Sequence, residues 1–114
     1  MKFNETEPIF LQIMNHIKTE ISTGIRGADE KLPSIRELSQ QIQVNPNTIA
    51  RAYQELEREG ITVTKRGKGV FVNPQATQTQ SLKEEMARGY VSTFKTQMAS
   101  LGYSIAQMQA WLEN

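Results

Sequence analysis

The chain has 114 residues, a formal net charge of +1 and a hydrophobic fraction of 38%. That is room for one compact domain with an appendage, and the near-neutral total gives no reason of its own to expect nucleic acid. The absence of cysteine excludes disulfides and thiolate metal sites. No apolar run reaches the about 18 residues of a membrane span, and the opening MKFNETEP lacks a signal-peptide core, so a soluble cytoplasmic protein is expected.

Residues 1–7 read as a loose arm. From Pro8 onward, Phe10, Ile13, Met14, Ile17 and Ile21 recur at helical spacing, and Gly24 supplies a stop. Its only histidine, His16, reads as a partly exposed helix residue, because a lone imidazole makes no convincing metal site. Residues 25–31 are turn-rich and lead into Leu32-Pro33, where the residue before proline is pushed to extended geometry.

Two short amphipathic helices follow. Ser34 and Glu37 are spaced as a capping box, and Ile35, Leu38 and Ile42 form one stripe behind it. After a tight break, Asn45 suits an N-cap and Pro46 the first helical position, where a missing N–H costs nothing. Ile49, Tyr53 and Leu56 make the second stripe, with Ala52 beside them, and Gly60 is placed to end it. Two such helices across a turn of three or four residues predict a helix-turn-helix. Residues 61–65 and 70–73 are β-rich and alternate, with Arg66-Gly67-Lys68-Gly69 as the hairpin turn between them. A basic hairpin after a helix-turn-helix is the plan of a winged helix. Acids gather at Glu55, Glu57 and Glu59, read as a solvated helix face, while no acid lies between Gly60 and Lys83.

Residues 74–80 (PQATQTQ) form a polar linker. Ser81 and Glu84 then make a second capping box, and Leu82, Met86, Tyr90, Phe94, Met98 and Leu101 follow on one stripe, ending at Gly102. Ser104 and Gln107 make a third box, opening a short helix with Ile105, Met108, Trp111 and Leu112. Two helices this apolar would leave a sizeable patch in water, so self-association through these ten apolar side chains is expected. The alternative is a monomer whose tail folds back onto its own winged domain, against which the polar linker argues. The organisation predicted is mainly α with a small β-hairpin: a winged helix-turn-helix domain over 1–73, a linker over 74–80 and a two-helix dimerisation tail over 81–114.

For catalysis, the sequence offers no paired carboxylates near a base, no nucleophile with a histidine and no phosphate loop, since Gly67-Lys68-Gly69 lacks the Walker spacing. An enzyme is not expected, and neither a cofactor nor a metal is implied. For DNA binding, Asn45, Asn47, Thr48 and Arg51 lie in the first turns of the second helix, where side chains reach base edges and flanking phosphates in a major groove. Asparagine and arginine can pair bidentately with adenine and guanine, each worth about 1–3 kcal/mol of discrimination. Arg51 has a plainer role open to it, pairing with Glu55 one turn on. In the wing, Lys65, Arg66 and Lys68 can offset phosphate charge, and Gly67 and Gly69 allow close backbone approach. The competing class is a winged helix used for protein or RNA contact, against which stand the basic wing and the arginine-bearing recognition face.

These motifs carry a resemblance. The run Pro8-Ile9-Phe10-Leu11-Gln12-Ile13, then LPSIREL, VNPNTIARAYQELEREG and RGKGVFV, resembles the DNA-binding domain of the GntR family of bacterial transcription regulators. The NPNT-x-x-RAY-x-EL wording and the short tail are most similar to its YtrA-like branch. The resemblance implies a homodimeric repressor on an inverted-repeat operator in double-stranded DNA, controlling a transporter operon or its own gene. It also assigns Arg36 to direct DNA contact. Many family members carry basic residues where this chain has Pro46 and Ala50, so the family's base contacts there are not carried over. Larger relatives sense metabolites in a longer C-terminal domain; two short helices leave no room for an enclosed pocket of about 300 Å3 in one subunit. No small-molecule effector is indicated, although one could bind between subunits, lined by Tyr90, Phe94, Tyr103 and Trp111.

Overall fold

The computed structural model describes residues 1–77 and 79–114. It divides into two compact units, Met1–Leu82 and Lys83–Asn114.

The first unit is built around α1 (Ile9–Ser22), α2 (Ile35–Ile42) and α3 (Pro46–Arg58). Helical periodicity sets its core directly. Ile13, Met14, Ile17 and Ile21 bury one face of α1, and Ile49, Ala52, Tyr53 and Leu56 bury the facing side of α3. Leu32 and Leu38 close the space beneath α2. Pro8 stands at the N-cap of α1 and Gly24 follows its end at φ 84°. The arm before α1 is fastened, not loose. Gln12 accepts from the Asn4 amide at 3.0 Å and donates to the Asn4 and Glu7 carbonyls at 2.9 Å each.

Between α2 and α3 the break occupies residues 43–45. Gln43 adopts the left-handed conformation at φ 56°, and the Ser39 hydroxyl donates to the Val44 carbonyl at 2.6 Å. These two devices turn the chain sharply enough to set α3 across α2.

The hairpin comprises β1 (Thr62–Lys65) and β2 (Gly69–Val72), antiparallel with Thr62 opposite Val72 and Lys65 opposite Gly69. Gly69 therefore belongs to the strand, and the turn is shorter than the sequence suggests. The segment read as turn-rich also differs. Leu32 donates to the Val70 carbonyl at 2.8 Å, Val72 to Glu30 at 2.8 Å and Asp29 to Val72 at 3.0 Å, with Lys31 bridged to Phe71. Residues 29–32 thus line the second edge of β2. That pairing is non-local and β2 supplies half of it, so local residue pattern alone does not announce it.

Past the hairpin, the stretch expected as a linker contains a 3-10 helix, Pro74–Thr77, and α4 (Thr79–Ser100) already begins within it. Asn73 organises the start: its carboxamide donates to the Gly60 carbonyl at 3.0 Å and accepts from the Gln75 amide at 3.1 Å. Ser81 lies inside α4 and does not cap it. Gln78 lies outside the described residues.

In the second unit, α4 ends in a Schellman-type closure, with Gly102 at φ 88° and the Tyr103 amide donating to Met98 at 3.1 Å. Ser104 and Gln107 then form the expected capping box of α5 (Ile105–Leu112), with reciprocal bonds of 2.8 and 3.2 Å. Tyr103 and Trp111 pack ring to ring at 4.8 Å. The apolar spacing along α4 does not stay on one face. Steps of four residues advance about 40° each on a 3.6-residue helix, so Leu82 and Met98 point to nearly opposite sides. Both are buried, Met86 and Phe94 are half-buried, and Tyr90 and Leu101 stand exposed. Along α5, Met108 is buried while Ile105, Trp111 and Leu112 face solvent.

Candidate nucleic-acid interface

The amino end of α3 is set by Asn45 and Pro46. Asn45 Oδ1 accepts from the Asn47 amide at 2.8 Å, which leaves its side-chain NH2 free to donate outward. Asn45 and Asn47 are exposed and Thr48 is half-buried. The unpaired amides and helix dipole at this end favour an anionic neighbour.

Arg36 stands on the first turn of α2, exposed, and among the described residues no hydrogen bond or ion pair engages it. Its helix is held by the predicted capping box: Ser34 Oγ accepts from the Glu37 amide and Glu37 Oε1 from the Ser34 amide, each at 3.0 Å. The Ser34 amide, then its hydroxyl, keep the Glu37 carboxyl below the usual carboxylate range, with Lys31 adding a smaller pull. Beneath α2, the Tyr53 hydroxyl donates to the Pro33 carbonyl at 2.6 Å. Burial pushes that phenol up to about 12, so it stays a neutral donor pinning the loop before α2 to α3.

Arg51 is not held by Glu55. Its guanidinium carbon lies 3.9 Å from the centre of the Phe10 ring on α1, while Glu55 accepts from Arg58 Nε at 2.9 Å. The bond from Arg58 holds the Glu55 carboxyl below its ordinary range. The acidic end of α3 is likewise more than a solvated face. Glu57 Oε1 accepts from the Thr64 amide of β1 at 2.9 Å, and Glu59 pairs with Lys18 of α1. These acids fasten the wing and α1 to α3.

In the wing, the Lys68 amide donates to the Lys65 carbonyl at 2.8 Å, closing the turn, and Gly67 and Gly69 take φ of 75° and 122°. The three wing cations are not equivalent. Lys65 Nζ lies 4.4 Å over the Phe71 ring and 3.6 Å from Asp29 Oδ1, so an acid from the paired segment 29–32 reaches it. Arg66 and Lys68 are exposed without such partners among the described residues. One cation was not singled out from sequence: Lys31. Its side chain crosses Gly69 so closely that a Cβ there would stand 2.8 Å from Lys31 Cε. The residue lies more than thirty positions from the wing, so only the pairing with β2 reveals it. Among the described residues no cluster of His, Asp or Glu could hold a metal ion, and no helix is long and apolar enough to cross a membrane.

The profile described as "Bacterial regulatory proteins, gntR family" matches residues 10–72. The chain belongs to that family. The HTH-type transcriptional regulator YhcF of Bacillus subtilis is 39% identical over 107 residues, covering 94% of this chain and 88% of that protein. The HTH-type transcriptional repressor YtrA of Bacillus subtilis is 35% identical over 113 residues, covering 93% and 82%. Among solved structures, a GntR family transcriptional regulator from Listeria monocytogenes superposes with a TM-score of 0.81 at 38% identity, covering 97% of each chain. The AraR DNA-binding domain in complex with operator ORR3 covers 63% of this chain and 87% of its own, with a TM-score of 0.56 at 30% identity. The GntR-family chain is accordingly a DNA-binding transcription regulator of the YtrA-like branch, with a winged helix-turn-helix, in a family of regulators and not of enzymes.

Proposed function

We propose that this regulator is a cytoplasmic homodimeric repressor that binds an inverted-repeat operator, with one α3 of the dimer in each of two successive major grooves. Half-sites would lie about one helical turn, or a multiple, apart. The observation that carries the reading is the set of polar side chains left open around the amino ends of α2 and α3, Arg36, Asn45 and Asn47. They come with unpaired cations Arg66 and Lys68 on the wing. Arg36 and the amino end of α3 read the groove; Arg66, Lys68 and the two wing glycines meet the backbone or minor groove. Lys65, braced by Asp29 and Phe71, contributes chiefly by shaping the wing.

The domain over 1–73 binds DNA and the tail over 81–114 pairs two subunits. The ten apolar tail residues divide the work. Met98 and Met108 are core within one subunit, whereas Tyr90, Leu101, Ile105, Trp111 and Leu112 have apolar surface to bury against a second copy. The kinship with YtrA, itself named a repressor, supports repression; the target proposed is a transporter operon or the protein's own operon.

The test is Arg36→Ala, titrated by gel shift against a duplex that the unaltered protein selects from a random-sequence pool. Binding should weaken about ten-fold per half-site, the equivalent of one lost base or phosphate contact in each subunit, with the thermal midpoint unchanged. The logarithm of affinity should also fall steeply and linearly with the logarithm of salt concentration. An unchanged titration curve would remove Arg36 from the interface, and salt-independent binding would point to a protein partner instead.

A further inference from the structure

Arg51 poses a problem that its own helix does not solve. A long exposed arginine loses considerable side-chain entropy when a contact fixes it, and the acid one turn on, Glu55, is occupied by Arg58. What orders Arg51 is an aromatic face on another helix: the Phe10 ring, half-buried on the first turn of α1, with the guanidinium carbon 3.9 Å from its centroid.

We infer that Phe10 is a positioning residue for DNA binding: its ring holds the Arg51 guanidinium flat and turned toward α1, with its N–H edge presented to an operator phosphate. The inference rests on the DNA-binding reading above and adds to it a residue outside the helix-turn-helix and wing. With its carbon over the ring, the guanidinium can turn its face to Phe10 and keep its N–H edge for a phosphate, whose oxygens those donors match. The direction of the lean favours phosphate over base. Asn47 and Thr48, one turn back on α3, are placed for the groove floor. Arg51, drawn off the helix toward α1, is aimed at the groove wall where the backbone runs. Phe10 keeps the cation from folding back on the acidic half of α3 while leaving its charge intact.

The experiment uses the full chain and the duplex selected from a random pool, with four variants titrated at several salt concentrations. Arg51→Ala should weaken binding about ten-fold, as loss of one charge-assisted hydrogen-bonded contact does, and flatten the salt slope by about one per subunit. Phe10→Leu keeps apolar bulk but removes the ring face; it should weaken binding about two- to five-fold, the scale of an exposed cation–π contact. Phe10→Tyr should bind as the unaltered protein does. The double variant Phe10→Leu, Arg51→Ala should be no weaker than Arg51→Ala alone. If Phe10→Leu binds normally while Arg51→Ala does not, the positioning role fails and the DNA reading stands. Additive losses in the double variant would assign Phe10 to fold maintenance and overturn the inference. If Arg51→Ala itself binds normally, Arg51 leaves the interface and takes the inference with it, whereas Arg36→Ala still judges the DNA reading separately.

Discussion

Thr62 faces the core from β1 at 1% exposure, and among the described residues its hydroxyl oxygen is the buried side-chain polar atom without a hydrogen-bond partner. Opposite it sits Val72, wholly buried. An unsatisfied buried hydroxyl carries its desolvation cost uncompensated, while valine has the same shape and none of that cost. Thr62→Val should therefore raise the free energy of unfolding by about 1 kcal/mol, read as a shifted midpoint in urea at unchanged slope; a lower midpoint would show that the hydroxyl is satisfied after all. At this scale the sequence was legible where a residue's role is local. Asn45, Pro46, Ser34 and Gln107 each do what their spacing predicts. It was opaque where the partner comes from elsewhere in the chain, as with Arg51 on Phe10, Lys65 on Asp29, Glu57 on Thr64 and Lys31 across Gly69. For Arg51 and for Glu57 a short-range reading was available, and a longer-range contact took the side chain.

At the scale of elements, periodicity and capping located α1, α2, α3 and α5 almost to the residue, because apolar spacing and end-group satisfaction are properties of one segment. The Ser34 cap can be tested alone. Ser34→Ala should cost about 1 kcal/mol of stability, seen as an earlier denaturation midpoint, and it should fray the turn that carries Arg36. Glu37 adds an acid dependence of definite sign. Its folded carboxyl titrates below the unfolded one, so its contribution is present above the ordinary carboxylate range and is lost as pH falls through the lowered value. A variant with unchanged midpoint would mean that the amide of Glu37 finds another acceptor. The same reasoning explains the misplaced start of α4. Ser81 and Glu84 have the right spacing for a box, but the helix begins before them at Thr79, directly after a turn organised by Asn73. The strip at 29–32 escaped for the opposite reason, since it gains its strand character only from β2.

For the whole molecule, the apolar tail is the place to test the proposed self-association. Leu101 and Leu112 are each 72% exposed, so exchanging both for lysine removes little packing within the subunit. On the proposed pairing the unaltered chain sediments as a dimer, and the double variant Leu101→Lys, Leu112→Lys should sediment as a monomer at the same concentration. Its circular dichroism should be unchanged and its operator affinity much poorer, because two tethered half-site contacts become independent ones. A variant that still sediments as a dimer would move the interface elsewhere. The sequence foresaw two helices carrying apolar side chains beyond the winged domain, and several of these are exposed. It did not separate the methionines that serve the subunit's own interior from the side chains left outside, because a four-residue step winds around a helix as long as α4.

Glu57 has one more effect, on what the hairpin can do to its neighbours. With β2 flanked on both sides, new strands could join this small sheet only along the outer rim of β1, where main-chain donors would otherwise invite another polypeptide to stack on. The Thr64 amide on that rim is already occupied by the Glu57 carboxylate, and the rim ends in the cationic Lys65. The open rim of the hairpin is thereby closed to strand pairing with the hairpin of another copy.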